Sequence, residues 1–175
     1  MSVVIRSATD QDHSVLEEIE RAADRLLTDR FGTEDWPPPS TADDRRNTGG
    51  FVLVATDSPA AESPGGVEEV PVGFVQVIEG PGYAHLEQLS VHPAYGRRGI
   101  GRALVVAAQD ESRRRGHTRI TLRTYADVPW NAPFYSSCGF VDSTPDTAFL
   151  QELVTVEQRL GLTRHGRRIQ MTAVL

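Results

Sequence analysis

The residues Gly96-Arg97-Arg98-Gly99-Ile100-Gly101 stand between a stretch with strand character, Tyr83–Val91, and one with helix character, Ile100–Arg115. Such a turn does chemistry through its backbone. The first N–H groups of a helix have no internal acceptors, point outward and sit at the positive end of the helix dipole, so they bind anions. Glycines let the main chain approach an oxyanion closely. Arg97, Arg98 and Arg102 add charge-assisted hydrogen bonds. A pyrophosphate meets these requirements. The order G-x-x-G-x-G reverses the dinucleotide fingerprint G-x-G-x-x-G and falls mid-chain, after several strands, which disfavours a nicotinamide or flavin. By itself the pattern also describes a tight strand-to-helix turn with an exposed arginine pair.

Other chemistry is bounded by composition. All 18 basic residues are arginine. Without lysine there is no internal Schiff base, hence no standard pyridoxal phosphate enzyme, and no Walker phosphate loop. Cys138 is the single cysteine, so no internal disulfide forms, and His13, His85, His92, His117 and His165 are too scattered for zinc spacing, so no metal is expected. The net charge of −6 argues against a general nucleic-acid surface. Arg113-Arg114-Arg115 reads as a solvated run complementing a helix C-terminus. No apolar run spans a membrane, and the N-terminus turns charged too soon for a signal peptide. The expectation is a cytoplasmic single domain over 1–175, with nucleic acid and membrane absent as partners and a homodimer left open.

The elements that must position the turn follow from periodicity. Strands are expected at 2–7, 51–56, 72–78, 83–91, 119–124, 140–143 and 168–174. Amphipathic helices are expected at about 11–30, capped by Thr9 or Asp10, at 100–115 and at 146–161, with short helical pieces near 41–47 and 130–138. The Pro-, Gly-, Ser- and Glu-rich stretch at about 57–70 reads as a flexible surface loop. The strands at 72–78 and 83–91 read as a meander pair. Strand, turn, helix and strand from 83 to 124 favour a parallel crossover.

The stretch LEQLSVHPAYGRRGIGRALVVAAQDESRRRG resembles the coenzyme A-binding motif of the GNAT superfamily of N-acetyltransferases, and WNAPFYSSCGF resembles the motif that follows it. Together they cover about 86–140. The resemblance implies an α+β acyl-CoA N-acyltransferase fold: a twisted mixed sheet of six to seven strands, flanked by helices and splayed at the cofactor cleft between 83–91 and 119–124. It implies that the N–H groups of Arg97, Arg98, Gly99, Ile100, Gly101 and Arg102 hold the pyrophosphate of acetyl-CoA. Leu89 and Val91 would pair with pantetheine as an added strand. Two positions depart from the family pattern. Gly96 stands where Gln or Arg is frequent, and Val128 stands where many members carry Asn, leaving Asn131 as the pantetheine candidate.

Acetyl transfer from a thioester to an amine needs a neutral amine, a stabilised oxyanion and a proton for the thiolate. By its motif position Tyr135 is the candidate acid, since a phenol stays protonated at neutral pH. Glu87 is the candidate base and His85 its competitor. Strand alternation would put both on one face with Leu89 and Val91. The Leu89 N–H is the oxyanion donor the resemblance suggests. Phe134, Phe140 and Cys138 are assigned to packing. Phe31, Asp35 and Trp36, facing Tyr125, Asp127 and Trp130, are candidates for the acceptor end, where acidic and aromatic groups would suit a cationic amine. The function expected is direct transfer of acetyl to a small primary amine. Acetylation of a protein N-terminus or lysine, and a non-catalytic acyl-CoA sensor, are the alternatives.

Overall fold

In the computed structural model, which describes residues 2–58 and 69–175, these segments assemble into one sheet with helices on both faces. In chain order they are β1 (Ser2–Ser7), α1 (His13–Phe31), α2 (Ala42–Asn47), β2 (Gly50–Ser58), β3 (Pro71–Gly80), β4 (Tyr83–Val91), α3 (Ile100–Arg114), β5 (Arg119–Tyr125), α4 (Ala132–Ser136), β6 (Val141–Ser143), α5 (Ala148–Arg159) and β7 (Arg168–Val174). The mixed class and the flanking helices are those expected from the sequence. The loop expected at about 57–70 begins later, because Asp57 and Ser58 continue β2, and residues 59–68 lie outside the described residues.

The strand order is β1-β2-β3-β4-β5-β7-β6. β1 to β4 form an antiparallel meander, and β7 runs antiparallel between β5 and β6. The β4–β5 pair joins these halves and is parallel. A parallel neighbour needs a long crossover; α3 supplies it.

Cross-strand partners share a face, so the register divides the sheet into two environments. Val75 and Val77 of β3, Leu86 of β4, Leu122 of β5 and Met171 of β7 meet Leu104, Val105 and Ala108 of α3 in the main core. On the opposite face Val54 and Phe74 receive Leu16 and Ile19 of α1. Beyond β4 that second face turns polar: Thr121, Arg123 and Tyr125 of β5 lie opposite Thr172, Gln170 and Arg168 of β7.

Local sequence fixes how the helices start. α2 opens with a capping box, in which Thr41 Oγ1 accepts from the Asp44 N–H at 3.1 Å and the Asp44 carboxylate accepts from the Thr41 N–H at 3.0 Å. α1 differs from expectation: Asp12, not Thr9 or Asp10, stands at its start. Arg6 of β1 donates to both Asp12 oxygens at 2.6 and 3.1 Å, and the Thr9 N–H and hydroxyl also donate to that carboxylate. That ion pair ties the helix to the sheet edge.

Leu104 is fully buried between α3 and β3. Leu104→Ala should destabilise the protein by about 2–5 kcal/mol, read as a lowered urea midpoint with an unchanged m-value.

Candidate active site

The G-R-R-G-I-G turn takes the form its composition suggests. Arg97 has φ +61° and Gly99 φ +80°, and α3 starts at Ile100. A side chain at Gly99 would meet open space, so glycine is there for its backbone angle and for the clear approach to the turn. Among the described residues no group accepts from the N–H of Arg97, Gly99, Ile100, Gly101 or Arg102, whereas the next N–H, of Ala103, donates to the Gly99 carbonyl at 3.0 Å. These exposed donors fit an oxyanion group such as a pyrophosphate. The arginine side chains divide their work. Arg102 donates to the carbonyl and hydroxyl of Ser137 at 2.7 and 2.8 Å, so its guanidinium braces α4 against α3. Arg98 lies over the Tyr95 ring at 5.3 Å.

β4 meets β5 at two positions only, His85 with Thr121 and Leu86 with Leu122. From Glu87 onward the edge of β4 facing β5 has no strand partner, which leaves the splay expected between these strands. The departure coincides with a β-bulge. Gln76 pairs with Gln88 and Val77 with Leu86, so Glu87 has no partner on β3. The bulge also overturns the expected alternation of His85, Glu87, Leu89 and Val91. Leu89 lies opposite Val75, on the α3 face, while His85 lies opposite Ile78, on the other. One extra residue between them reverses the side on which each later side chain emerges. Glu87 stays with His85, its Oε2 3.7 Å from His85 Nε2.

The two candidate bases therefore sit together in different states. His85 is 3% exposed, and its Nδ1 lies 2.8 Å from Thr121 Oγ1. Burial, aided by the charge of Arg123, pushes its pKa down to about 3, so the ring is neutral near pH 7. Glu87 keeps 46% of its side chain exposed at the opening. Desolvation by the surrounding walls raises its pKa above the ordinary carboxylate value; Glu157 adds to this and Arg168 opposes it.

Tyr135 arrives from the α3 side. Its ring packs against the main core beside Phe134 and Phe140. Burial raises its pKa well above that of free phenol, keeping the hydroxyl protonated, and that hydroxyl has no hydrogen-bond partner among the described residues. α4 is docked on α3 by the Arg102 bonds and by Gln109, which donates to the Cys138 carbonyl at 3.1 Å. A methyl group added at Gly101 would touch Phe134 at 3.5 Å and Val91 at 3.9 Å, so cradle, β4 edge and α4 adjoin one another. Asn131 precedes α4, and its Oδ1 accepts from Thr124 Oγ1 at 2.9 Å, which pins α4 to the end of β5. Cys138 packs with the core.

Three segments converge at the far end of the cleft. Phe31 lies 4.9 Å from Tyr125, 6.1 Å from Trp36 and 5.4 Å from His165. Beside these rings is a cavity of about 400 Å³ lined by Arg30, Phe31, Tyr125, Asp127, Val128, His165, Gly166 and Arg167. Phe31, Tyr125 and Asp127 of that expected set line the cavity, and Trp36 stacks on Phe31 without lining it. Asp35 does not line the cavity, being paired with Arg164 at 2.8 Å, and Trp130 stands 42% exposed beneath the Arg30 guanidinium. An ionic cluster that the sequence reading missed lies between this cavity and Glu87. Glu157 of α5 pairs with Arg123 at 2.9 Å and with Arg168 at 2.5 Å, and Arg168 covers the Tyr125 ring at 4.5 Å. The alternation Thr121-Arg123-Tyr125 was its one visible signal. No cluster of His, Cys, Asp and Glu suited to a metal occurs among the described residues, and none of their helices is long and apolar enough to cross a membrane.

The family model described as Acetyltransferase (GNAT) family matches residues 16–140. Among solved structures, the fold is similar to a PaiA N-acetyltransferase from Thermoplasma acidophilum in complex with coenzyme A (TM-score 0.69, 17% identity, all of both chains covered). It is similar also to the ribosomal-protein-S18-alanine N-acetyltransferase from Escherichia coli (TM-score 0.65, 20% identity, 99% and 94% covered). A GNAT-family acetyltransferase from Staphylococcus aureus Mu50 gives a TM-score of 0.65 at 16% identity, with 99% of both chains covered.

The His85 environment is open to measurement. In an NMR titration its imidazole should remain neutral from pH 8 to about pH 5; a midpoint near 6.5 would contradict the burial argument. The unfolded chain takes up that proton near pH 6.5 and the folded chain near 3. Acidification between those values therefore removes stability.

Proposed function

Because the chain belongs to the acetyltransferase (GNAT) family, we propose that it moves an acetyl group from acetyl-CoA directly to the primary amine of a small molecule, both substrates being bound together. The observation that carries this is the parting of β4 from β5 at Glu87, with the anion cradle and Tyr135 on one flank and the aromatic cavity on the other. The N–H groups of Arg97, Arg98, Gly99, Ile100, Gly101 and Arg102 would hold the pyrophosphate. The free edge of β4 at Leu89 and Val91 would take pantetheine as a strand takes a neighbour. Asn131, anchored through Oδ1, would turn its NH₂ toward that arm. A cavity of about 400 Å³ has the size of a small-molecule site.

Bound there, the thioester supplies an activated acyl carbon and a thiolate leaving group. Glu87 takes a proton from the acceptor ammonium, directly or through water, freeing the nitrogen lone pair. That pair forms the C–N bond as the C–S bond breaks, while the Leu89 N–H donates to the carbonyl oxygen. Tyr135 gives its hydroxyl proton to the departing sulfur. The second proton shed by the nitrogen restores Tyr135, and the one on Glu87 passes to solvent. A sensor module would need neither the unpartnered hydroxyl of Tyr135 nor the raised pKa of Glu87.

Acetyl-CoA should raise the melting temperature, since a ligand bound only by the folded state stabilises it. Gly99→Glu should abolish that rise, because its carboxylate would stand where the anion must approach; an unaltered rise would place the phosphates elsewhere. With amines screened by thiol release, Tyr135→Phe should lower kcat about 10²–10⁴-fold with little change in acetyl-CoA affinity. In the same assay Glu87→Gln should flatten the acid limb of the pH–rate profile. If His85→Asn did so and Glu87→Gln did not, the base would be His85.

A further inference from the structure

We propose that the acceptor carries a carboxylate as well as its amine, and that Arg30 and Arg167 bind this carboxylate in the cavity beside Phe31 and Tyr125. The proposal rests on the acetyltransferase reading and names the substrate class for its acceptor end. It reverses the cationic preference suggested by the acidic and aromatic residues in the sequence.

The argument starts from which arginines are already paired. Among the described residues, Arg6, Arg21, Arg45, Arg46, Arg113, Arg114, Arg115, Arg119, Arg123, Arg159, Arg164 and Arg168 each have a carboxylate within 4 Å. Acids outnumber bases in the chain, 24 to 18. An arginine without a carboxylate partner is therefore the exception. Arg97 and Arg102 are two such, at the cradle where an external anion is expected. Arg30 and Arg167 are two more, and both line one cavity. Arg25, exposed on α1, is the other one outside the cradle.

The heads of both cavity arginines are available. Arg30 rests over Trp130 at 5.6 Å, and among the described residues its guanidinium has one hydrogen bond, a long one of 3.5 Å to the Asp127 carbonyl oxygen. Arg167 is exposed and its side chain has no partner among the described residues. Asp127 is the single acid on the cavity wall, so two guanidinium groups against one carboxylate leave the wall net positive. A planar guanidinium matches a carboxylate through two parallel hydrogen bonds. Phe31 and Tyr125, with ring centroids 4.9 Å apart, offer an apolar floor for the body between the two ends. Tyr125 on the cavity wall is covered by Arg168 at 4.5 Å, and Arg168 pairs with Glu157, whose charge reaches Glu87. The ligand thus lies with its amine toward Glu87 and its carboxylate outward. Its amine nitrogen gains the acetyl group as the thioester loses it, and the carboxylate takes no part in the bond changes.

The test uses matched pairs: para-(aminomethyl)benzoate, phenylalanine and ε-aminocaproate, each against its primary carboxamide. Binding to the CoA-loaded protein is followed by calorimetry, and acetylation by thiol release. At least one acid should exceed its amide tenfold or more in affinity and in kcat/KM. Arg30→Gln and Arg167→Gln should each bring that acid-to-amide ratio toward one, with the acetyl-CoA melting shift retained as evidence that the variants fold. Amides equal to or better than the acids in every pair would overturn the proposal, and so would failure of all three acids to bind a protein that still responds to acetyl-CoA. Loss of the wild-type acetyl-CoA response would instead overturn the acetyltransferase reading, and this inference with it.

Discussion

Two rungs of parallel pairing hold β4 to β5, and the candidate site stands where the third rung is missing. A strand edge left unpaired exposes backbone donors and acceptors that must find water or a partner. Here the edge of β4 from Glu87 to Val91 is left open while the core beneath stays closed, with Leu86 and Leu122 buried under α3. The bulge at Glu87 makes the two compatible. It lets β4 stay paired with β3 on both sides of Glu87, at a register shifted by one residue, while β5 parts from the other edge. Without the bulge the alternation would hold, Leu89 would share the face of Glu87, and the arrangement in which a carboxylate and an open strand edge share one opening would be lost.

The two faces of the sheet have correspondingly different chemistry. The α3 face is apolar, and it carries the Gly-rich turn and Tyr135 on elements braced to each other through Arg102, Ser137 and Gln109. The opposite face is apolar only under α1. Toward β5 and β7 it is built from His85, Thr121, Arg123, Tyr125, Arg168 and Glu157, where charges are buried in pairs. Buried ion pairs contribute little net stability against well-packed apolar residues, so their presence is better explained by the cleft they border than by the fold. Arg123 disfavours a second positive charge on His85, and Glu157 disfavours a second negative charge on Glu87. Burial is the larger cause of both shifts; these charges add to it, and Arg168 opposes the shift at Glu87.

How much of this was legible depended on the range of the interaction. The cradle could be read because its requirements are local: glycine at a left-handed position, a strand before and a helix after. The meander and the crossover could be read from element order. Tyr135 is singled out by a motif alone, since nothing in its own neighbourhood in sequence distinguishes it from a packing tyrosine. The bulge was illegible, because YAHLEQLSV alternates acceptably in either register until β3 is laid beside it. The start of α1 was misplaced by three residues or fewer for the same reason: Asp12 is selected by Arg6 across the sheet edge, a pairing with no local signature. Nothing beside Glu157 in the sequence sets it apart, and only the approach of β5 and β7 gives it two arginine partners.

The absence of lysine gives the charge distribution a particular meaning. A guanidinium holds its charge at every physiological pH and fixes its donors in a plane, so each arginine imposes a directional demand for an oxyanion. In a chain with an excess of acids most of those demands are met internally, and the sites of unmet demand become visible against that background. Apart from the exposed Arg25, they fall at the turn before α3, where Arg97 has no carboxylate, and at the cavity between α1 and the start of β7. A net charge of −6 therefore coexists with two local positive sites. The overall field opposes polyanions such as nucleic acid, and the proposed anion sites rely on short-range geometry instead. Selectivity of that kind needs no broad basic surface, only a few arginines whose carboxylate partners have been withheld.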